Sequence, residues 1–385
     1  MFQKTILSTA LLAGFAAVSF SAQAADVQLY GTVDYGFVYN HAKTTETGAD
    51  SVKDDSFSMA SGTNSASAFG LTGSEDLGNG RKVTFRLENG FEADSGSLST
   101  EGTIFDREAS LAVWGGFGSV YFGRMGAVVG DTGSVGFYGA QASALGTGWG
   151  DNITGHSAVF ANFEDVRDNT VTYVTPDFAG FKVHAQYSFQ NTASTDEPEG
   201  KSGTNRYYGI GATYNAGPLA LVGVVDSINY KGNTVGKDKD HDDDSLSVTL
   251  GGSYDFEVVK VYALGQYFDN ASGFSSSFDK DKFTPAKGVA EGWGLSLGAS
   301  APAFGGTARA QMGYMDAEDV RASADGKTDF TRYMFSVGYD YNLSKRTTVY
   351  TAASYMKDKI DYAAKDQDDL KPAAYELFAG MIHRF

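Results

Sequence analysis

Side chains that could carry out covalent or metal chemistry are few in this sequence. Cysteine is absent, so the chain offers no thiolate nucleophile and no disulfide framework. No two histidines have the H-x-x-x-H spacing that puts two metal ligands on one helical face. The histidines are His41, His156, His184, His241 and His383. These observations predict no enzymatic reaction and no cofactor.

An acidic run is the nearest approach to a metal site. Asp238, Asp240 and Asp242 have the spacing of the first ligands in an EF-hand calcium loop. The glycine and the closing glutamate of that loop are missing, because Asp243 and Thr249 stand in those positions. A solvated acidic loop is therefore favoured over a calcium site, and no metal is predicted.

The charge balance excludes one class of partner. The 385 residues carry a formal net charge of −17 at pH 7. A protein that binds nucleic acid needs basic residues to neutralise phosphates. The sequence therefore argues against a nucleic-acid partner.

The first 24 residues differ from the rest and indicate a secretory signal peptide. Lys4 supplies a positive start, Ile6 to Phe20 form an apolar stretch, and Ala22 to Ala24 fit an A-x-A cleavage site. We expect residues 1–24 to be removed and residues 25–385 to form the mature domain. After residue 24 no apolar run reaches the ~18 residues of a transmembrane helix. A soluble secreted protein and a membrane β-barrel remain.

The remaining chain alternates polar and apolar residues with period 2, which sends successive side chains to opposite faces of a strand. Lys82 and Arg86, for example, lie on the polar face opposite Phe85. The polar face is polar or glycine in nearly every strand, as a water-filled lumen requires. The apolar face is rich in tyrosine and phenylalanine at strand ends, which is typical of aromatic girdles at membrane interfaces. Such strand-end residues are Tyr39, Phe91, Tyr187, Tyr254, Tyr341 and Tyr375.

Short and long connections alternate along the chain. Leu77 to Gly80 and Asn342 to Lys345 are short turns, whereas Lys231 to Asp244 and Asn270 to Glu291 are long polar segments. This alternation predicts an all-β transmembrane antiparallel barrel of about sixteen strands, with short periplasmic turns and long extracellular loops. A secreted β-sandwich is disfavoured, since its apolar face would be rich in valine, isoleucine and leucine.

Several runs match a known family. They are Val27 to Asp34, Phe69 to Gly80, Asp106 to Ala109, Gly115 to Gly118, Asp168 to Tyr173, Pro176 to Phe181 and His383 to Phe385. They resemble the Gram-negative general porins, most closely the neisserial and comamonad type of the β-proteobacteria. The resemblance implies a homotrimeric pore in the cell outer membrane for passive diffusion of ions and small hydrophilic solutes. It also implies contact with outer-membrane lipid and lipopolysaccharide, and a terminal Phe385 read by the barrel-assembly machinery.

The resemblance further implies that the third long loop folds into the lumen and narrows it. The long segment from about Met125 to Arg167 is the candidate for that loop, and its carboxylates are Asp131, Asp151, Glu164 and Asp165. Lys82 and Arg86 face them from the wall by alternation. Arg107 and Arg124 match family arginines at strand ends, where alternation leaves their facing open. Opposed charges in a low-dielectric opening would sort solutes by charge.

Two alternatives to a general pore stay open. One is a channel selective for a sugar or an organic anion, although no ladder of lumen-facing aromatic residues emerges. The other is a structural or adhesive barrel whose loops bind surfaces. For a general pore, the acidic loops and mixed constriction charges predict weak cation selectivity at low salt, which fades as screening increases.

Overall fold

A computed structural model describes most of the chain. The described residues are 26–46, 51–130, 133–136, 142–145, 149, 156–161, 166–190, 199, 204–230, 244–271, 290–323, 326–363 and 368–385. Residues 1–24, and with them the predicted signal peptide, lie outside this set. The run Asp238 to Asp243, considered above for calcium, lies outside it too. Among the described residues no helix is both long and apolar enough to cross a membrane.

The described residues form seventeen strands in one antiparallel sheet. A 3-10 helix, His156–Val159, interrupts the strand pattern between β6 and β7. The strands are β1 (Asp26–Glu46), β2 (Val52–Ser61), β3 (Ala68–Gly78), β4 (Arg81–Gly90), β5 (Glu108–Gly115), β6 (Gly118–Gly126), β7 (Val166–Val174), β8 (Phe181–Ser188), β9 (Arg206–Ala216), β10 (Leu219–Asn229), β11 (Leu246–Asp255), β12 (Lys260–Ala271), β13 (Ala290–Ala303), β14 (Gly306–Ser323), β15 (Gly326–Asn342), β16 (Thr347–Asp361) and β17 (Leu370–Arg384).

Pairing between the first and last strands closes the sheet into a barrel. Residues 32–46 of β1 pair with residues 384–370 of β17. On its other side β1 pairs first with β3, through residues 26–32, and then with β2, through residues 35–44. β2 and β3 therefore share one position in the wall, so the seventeen strands make a sixteen-position barrel. The predicted antiparallel barrel of about sixteen strands is confirmed.

The alternation along each strand sets which side chains face lipid. In β11, Leu250 is 64 % exposed on the outer surface, while its neighbour Thr249 is fully buried in the interior. Large apolar side chains thus cover the outside of the barrel, the reverse of a soluble protein, as a protein solvated by hydrocarbon requires.

The interior is less uniformly polar than the sequence pattern indicated, and that expectation needs correction. Leu264, Phe268, Met334 and Met356 are buried side chains of the inner wall. They belong to one hydrophobic cluster with Val128 and other residues from the segment between β6 and β7. The apolar inner wall is stable because this segment covers it and excludes water.

The short turns have the backbone conformations that their residue types favour. In the turn between β3 and β4, Gly78, Asn79 and Gly80 all have positive φ, at 76°, 53° and 69°. Glycine and asparagine adopt this left-handed region at low cost, whereas other residues are strained there. The Gly-Asn-Gly run therefore reverses the chain within a tight turn. The long connections lie at the opposite end of the barrel.

The lipid-facing assignment can be tested at mid-strand. Replacing Leu250 by Arg would put a charge into hydrocarbon and should lower the free energy of unfolding by ~2–4 kcal/mol near the bilayer midplane. Leu250→Met keeps the size without the charge and should change it by less than ~1.5 kcal/mol. The measurement is urea unfolding in lipid vesicles. Equal stability of the two variants would contradict the assigned facing.

Candidate pore constriction

The described residues of the long connection between β6 and β7 lie in the interior of the barrel. Three inward glutamines hold its backbone from separate strands. Gln186 of β8 accepts from Val128 N at 3.2 Å, and Gln266 of β12 accepts from Ala161 N at 2.8 Å. Gln266 also donates back to the Ala161 carbonyl at 3.0 Å. We call the described residues of this connection, 127–130, 133–136, 142–145, 149 and 156–161, the inner loop.

Gln311 of β14 is the third glutamine, and it holds the middle of the inner loop. Its Oε1 accepts from Ser143 Oγ at 2.5 Å and from Leu145 N at 3.2 Å. An amide side chain suits this role because it offers both a donor and an acceptor to backbone groups that lack partners of their own. The three glutamines thus satisfy loop backbone inside the barrel.

Two arginines with paired carboxylates add further attachments. Arg332 is bound by Asp358 through two contacts of 2.8 and 2.9 Å, and it donates to the Ala158 carbonyl at 2.7 Å. Arg309 is bound by Asp340 at 2.8 Å and donates to the Ala144 carbonyl at 3.1 Å. Each carboxylate neutralises its guanidinium and orients a spare N–H toward the loop. Alternation in the sequence indicated that these residues face inward. It did not indicate that they bind the loop.

Glycine in the wall lets the inner loop lie close. A Cβ added at Gly294 would be 1.9 Å from the Val159 carbonyl oxygen, and one at Gly338 would be 2.9 Å from the Trp149 ring. Trp149 also packs against Tyr350 in a T-shaped arrangement, with ring centroids 6.0 Å apart. The described loop segments therefore cross from β6 to the far wall.

On the opposite wall, β1 and β4 and the residue before β5 contribute a compact group of charges. Arg107 Nε lies 2.8 Å from Glu88 Oε1, and Arg86 lies 2.5 Å from Glu88 Oε2. Tyr30 donates its hydroxyl proton to Glu88 at 2.8 Å and accepts from Arg86 Nε at 2.8 Å. Strand alternation positions Tyr30, Arg86 and Glu88 on the inner face together.

Glu108 joins this group to the inner loop. It is fully buried and accepts from Ser134 of the loop, through the backbone N–H at 3.0 Å and the hydroxyl at 2.6 Å. Arg86 Nε is 3.6 Å from its Oε2. We call Tyr30, Arg86, Glu88, Arg107 and Glu108 the constriction cluster. Its two guanidinium groups and two carboxylates balance, and Arg86 keeps 32 % of its side chain exposed.

Comparison with known proteins agrees with this geometry. The model of the Gram-negative porin family matches residues 8–361. The chain belongs to the Gram-negative porin family. It is an outer-membrane channel for the passive diffusion of ions and small hydrophilic solutes.

Individual relatives align with this porin over nearly its full length. An outer membrane porin protein of Bordetella pertussis is 33 % identical over the full length of both chains. Outer membrane porin protein 32 of Delftia acidovorans is 30 % identical and covers 99 % of this chain and 95 % of its own. The solved anion-selective porin from Comamonas acidovorans superimposes with a TM-score of 0.67 at 25 % identity, covering 94 % of this chain and all of the other.

The structure separates the four basic residues that the sequence grouped together. Arg86 and Arg107 meet in the constriction cluster of this porin. Lys82 lies on the same face as Arg86 but four residues nearer the short turn, roughly 13 Å away along the strand. Its Nζ lies 4.9 Å from the centre of the Trp114 ring. Lys82 thus lies nearer the short-turn end of the barrel than the constriction cluster does.

Arg124, whose facing the sequence left open, lies outside the constriction cluster. It pairs across the ladder with Ala109, which alternates with the inward Glu108 and Ser110 and so faces outward. Its guanidinium binds Asp168 and donates to the Asp106 carbonyl at 2.6 Å. Arg124 thus joins three chain segments at the rim.

The loop carboxylates proposed from sequence, Asp131, Asp151, Glu164 and Asp165, lie outside the described residues. Two carboxylates that the sequence reasoning did not connect with the loop, Glu88 and Glu108, lie in the constriction cluster. Their inward parity on β4 and β5 was the available signal. The constriction cluster therefore contains wall carboxylates as well as arginines.

Loss of one glutamine anchor should loosen the inner loop. Gln266→Leu leaves the Ala161 N–H and carbonyl without their side-chain partner, which costs about 1–3 kcal/mol in a buried site. We expect larger current fluctuations and a higher mean conductance in planar bilayers. Gln28→Leu is the control, because Gln28 is exposed and bonds only Asp26 among the described residues. Identical current traces for Gln266→Leu and wild type would contradict the anchoring role.

Proposed function

We propose that this porin is a weakly selective pore whose narrowest charged region is electrically balanced. The observation that carries the proposal is the constriction cluster. Its guanidinium groups and carboxylates contact each other directly, at 2.5 to 3.6 Å, so their fields largely cancel for an ion passing nearby.

Charges outside the constriction cluster then decide the weak preference between cations and anions. Removal of residues 1–24 would take away Lys4 as their one charge and change the net charge from −17 to −18. Acidic pairs such as Asp54 with Asp55, and Asp368 with Asp369, stand at the loop end. They attract cations toward the entrance at low ionic strength, and their reach falls to about 8 Å at physiological salt. The preference is therefore for cations and weakens as salt rises.

Anion selectivity is the competing function. The related Comamonas acidovorans protein is named an anion-selective porin, and Arg86 is partly open to the lumen here. Against it stand Glu88, which binds both Arg86 and Arg107, and Glu108, which binds Ser134 of the inner loop. A substrate-selective channel is less well supported, since the constriction cluster, among the residues that the structure describes, contains Tyr30 as its one aromatic side chain.

The assembled form and its surroundings complete the proposal. We propose a homotrimer that crosses the outer membrane, with lipid and lipopolysaccharide around its outer surface. It transports by diffusion, without a reaction and without a cofactor. Residues 1–24 direct secretion and are removed, and the barrel-assembly machinery reads the C-terminal Phe385.

Opposite single-charge changes in the constriction cluster test the selectivity. Arg86→Ala leaves one guanidinium against two carboxylates, and Glu88→Gln leaves two against one. A unit charge about 6 Å from the ion path in water contributes ~0.7 kcal/mol, so each permeability ratio should shift about threefold, toward cations for Arg86→Ala and toward anions for Glu88→Gln. Reversal potentials at two mean salt concentrations measure this. Strong anion selectivity of the wild type at low salt would refute the proposal.

Phe385 provides a test of assembly. Its backbone pairs with Gly31 in both directions, at 3.0 and 3.1 Å, and its ring lies over that glycine. Phe385→Ala should lower the amount of barrel in the outer membrane several-fold while refolding of purified protein changes little.

Phe117 is the matched control for the assembly test. It is exposed to a similar degree, 44 % against 48 % for Phe385, and its ring lies over Gly115 in the same manner. Phe117→Ala should leave the amount of barrel in cells unchanged. Equal losses for the two variants would mean that Phe385 acts through packing alone.

A further inference from the structure

The short segment between β2 and β3 lies on the inner side of the wall. β1 pairs with β3 as far as Thr32 and with β2 from Tyr35 onward, so residues 62–67 stand opposite only Val33 and Asp34. Surplus residues in one strand must bend away from the ladder. Here they bend inward, because their backbone binds the side chain of Asp34, which is fully buried in the interior. We call residues 62–67 the inner turn.

Asp34 holds the inner turn from β1. Its Oδ2 accepts from Asn64 N at 2.8 Å and from Ser65 N at 2.7 Å, and its backbone carbonyl accepts from Gly62 N at 3.1 Å. Ser67 Oγ accepts from Asp34 N at 3.1 Å and donates to the Asp34 carbonyl at 3.2 Å. The carboxyl group and the turn fix each other's position, since loss of either would leave buried polar groups unsatisfied.

Tyr350 of β16 joins this attachment to the inner loop. Its hydroxyl donates to Asp34 Oδ1 at 2.5 Å and contacts the hydroxyl of Thr63 in the inner turn. Its ring meets the ring of Trp149 in the inner loop, with centroids 6.0 Å apart. Leu145 of the inner loop belongs to the same buried cluster. Tyr350 thus contacts the inner turn through its hydroxyl and the inner loop through its ring.

Glycine on the strand between lets Tyr350 reach β1. The side chain crosses β17, and a Cβ added at Gly380 of β17 would lie 2.3 Å from the Tyr350 hydroxyl oxygen. Tyr30 of the constriction cluster has the same arrangement. It crosses β3 to reach Glu88 of β4, and a Cβ at Gly70 of β3 would lie 2.6 Å from its hydroxyl oxygen. In both places a side chain on the intervening residue would block the contact.

The contacts run around the lumen and return to the inner loop. Ser134 of the loop binds Glu108, and the constriction cluster connects Glu108 through Arg86 to Tyr30 on β1. Asp34 follows on the same inner face of β1 and binds Tyr350, whose ring packs against the inner loop again. The inner turn therefore lies in this circuit between the constriction cluster and the inner loop.

We propose that Tyr350 and Asp34 are positioning residues of the pore. They join the inner turn to the inner loop, so that the two segments line the opening as one unit. The inference rests on the pore itself and not on its ion preference. Anion selectivity of the wild type would refute the electrical balance of the constriction cluster and leave this inference standing.

A single cysteine tests where the inner turn lies, since the chain has no cysteine of its own. Ala66 is exposed in the inner turn, and Ala263 is exposed on the outer face of β12. Modification of Ala66→Cys by a charged methanethiosulfonate reagent should lower the single-channel conductance, whereas the same reagent on Ala263→Cys should not. Unchanged conductance after complete modification of Ala66→Cys would overturn the proposal, because the turn would then not line the lumen.

Release of the inner turn is the second readout. Asn64 is 8 % exposed, so a cysteine there should react only when the turn leaves Asp34. Tyr350→Phe keeps the ring and removes the hydroxyl. In the Asn64→Cys background it should raise the reaction rate at least tenfold, because a buried hydrogen bond to a carboxyl group is lost. Tyr262→Phe is the matched control on the inner wall, since its hydroxyl bonds Ser300 at 3.1 Å, and it should leave the rate unchanged.

A second variant keeps the test decisive if Tyr350→Phe does not fold. Thr63→Val removes the hydroxyl on the turn side and leaves Asp34 and Tyr350 in place, and it should also raise the reaction rate. Both variants should show larger current fluctuations than wild type in planar bilayers. Folded variants with wild-type reaction rates and current traces would overturn the proposal. A lower free energy of unfolding with no change in rate or current would do so too, since the hydroxyl would then only stabilise the barrel.

Discussion

Backbone hydrogen bonding within hydrocarbon is the constraint on which this structure depends. Lipid offers no partner to an open strand edge, so the sheet must close on itself. The long strand β1 closes the barrel here, because it pairs with β17 on one side and with β2 and β3 on the other. The terminal Phe385 adds two further bonds to Gly31 at the seam. Outward side chains can then be apolar, because the hydrogen bonds between neighbouring strands already satisfy the backbone N–H and C=O groups.

Closure creates a second problem, since sixteen strand positions enclose a space too wide for wall side chains to fill. The inner loop solves it by bringing its own apolar residues to one side of the lumen. A loop placed there must have its backbone polar groups satisfied, and Gln186, Gln266 and Gln311 do so from the wall. Water is thereby excluded from the covered side, and the charged side chains of the constriction cluster stand on the other. The division of the lumen into a packed half and a polar half follows.

Period-2 alternation made most of this predictable. It assigned the facing of Leu250, Arg86 and Phe385 correctly, because side-chain direction in a regular ladder depends only on parity. Parity fails where the ladder is irregular. Arg124 lies at a register shift between Gly123 and Met125, and its outward facing could not be read from spacing.

Long-range contacts were the other part that the sequence could not supply. Residues 62–67 separate β2 from β3, and two of their backbone N–H groups, at Asn64 and Ser65, bind the buried Asp34. Tyr350, more than three hundred residues away, donates to the same carboxylate at 2.5 Å. The apolar inner wall likewise depends on a loop far away in sequence. Such contacts form only when the closed barrel brings strands that are distant in sequence together, so no local sequence pattern predicts them.

The treatment of charge differs between the two surfaces of the wall. Inside, Arg332 with Asp358 and Arg309 with Asp340 are compensated within the chain, since an unpaired charge in a low-dielectric interior is costly. Outside, Lys43 and Lys357 are exposed and form no ion pair within the described part of the chain. A charge inside must be balanced by the fold before the protein is stable, whereas an exposed charge on the outer surface interacts with the surroundings of the barrel. The same alternation that separates polar from apolar residues therefore also separates charges that stabilise the barrel from charges that respond to its surroundings.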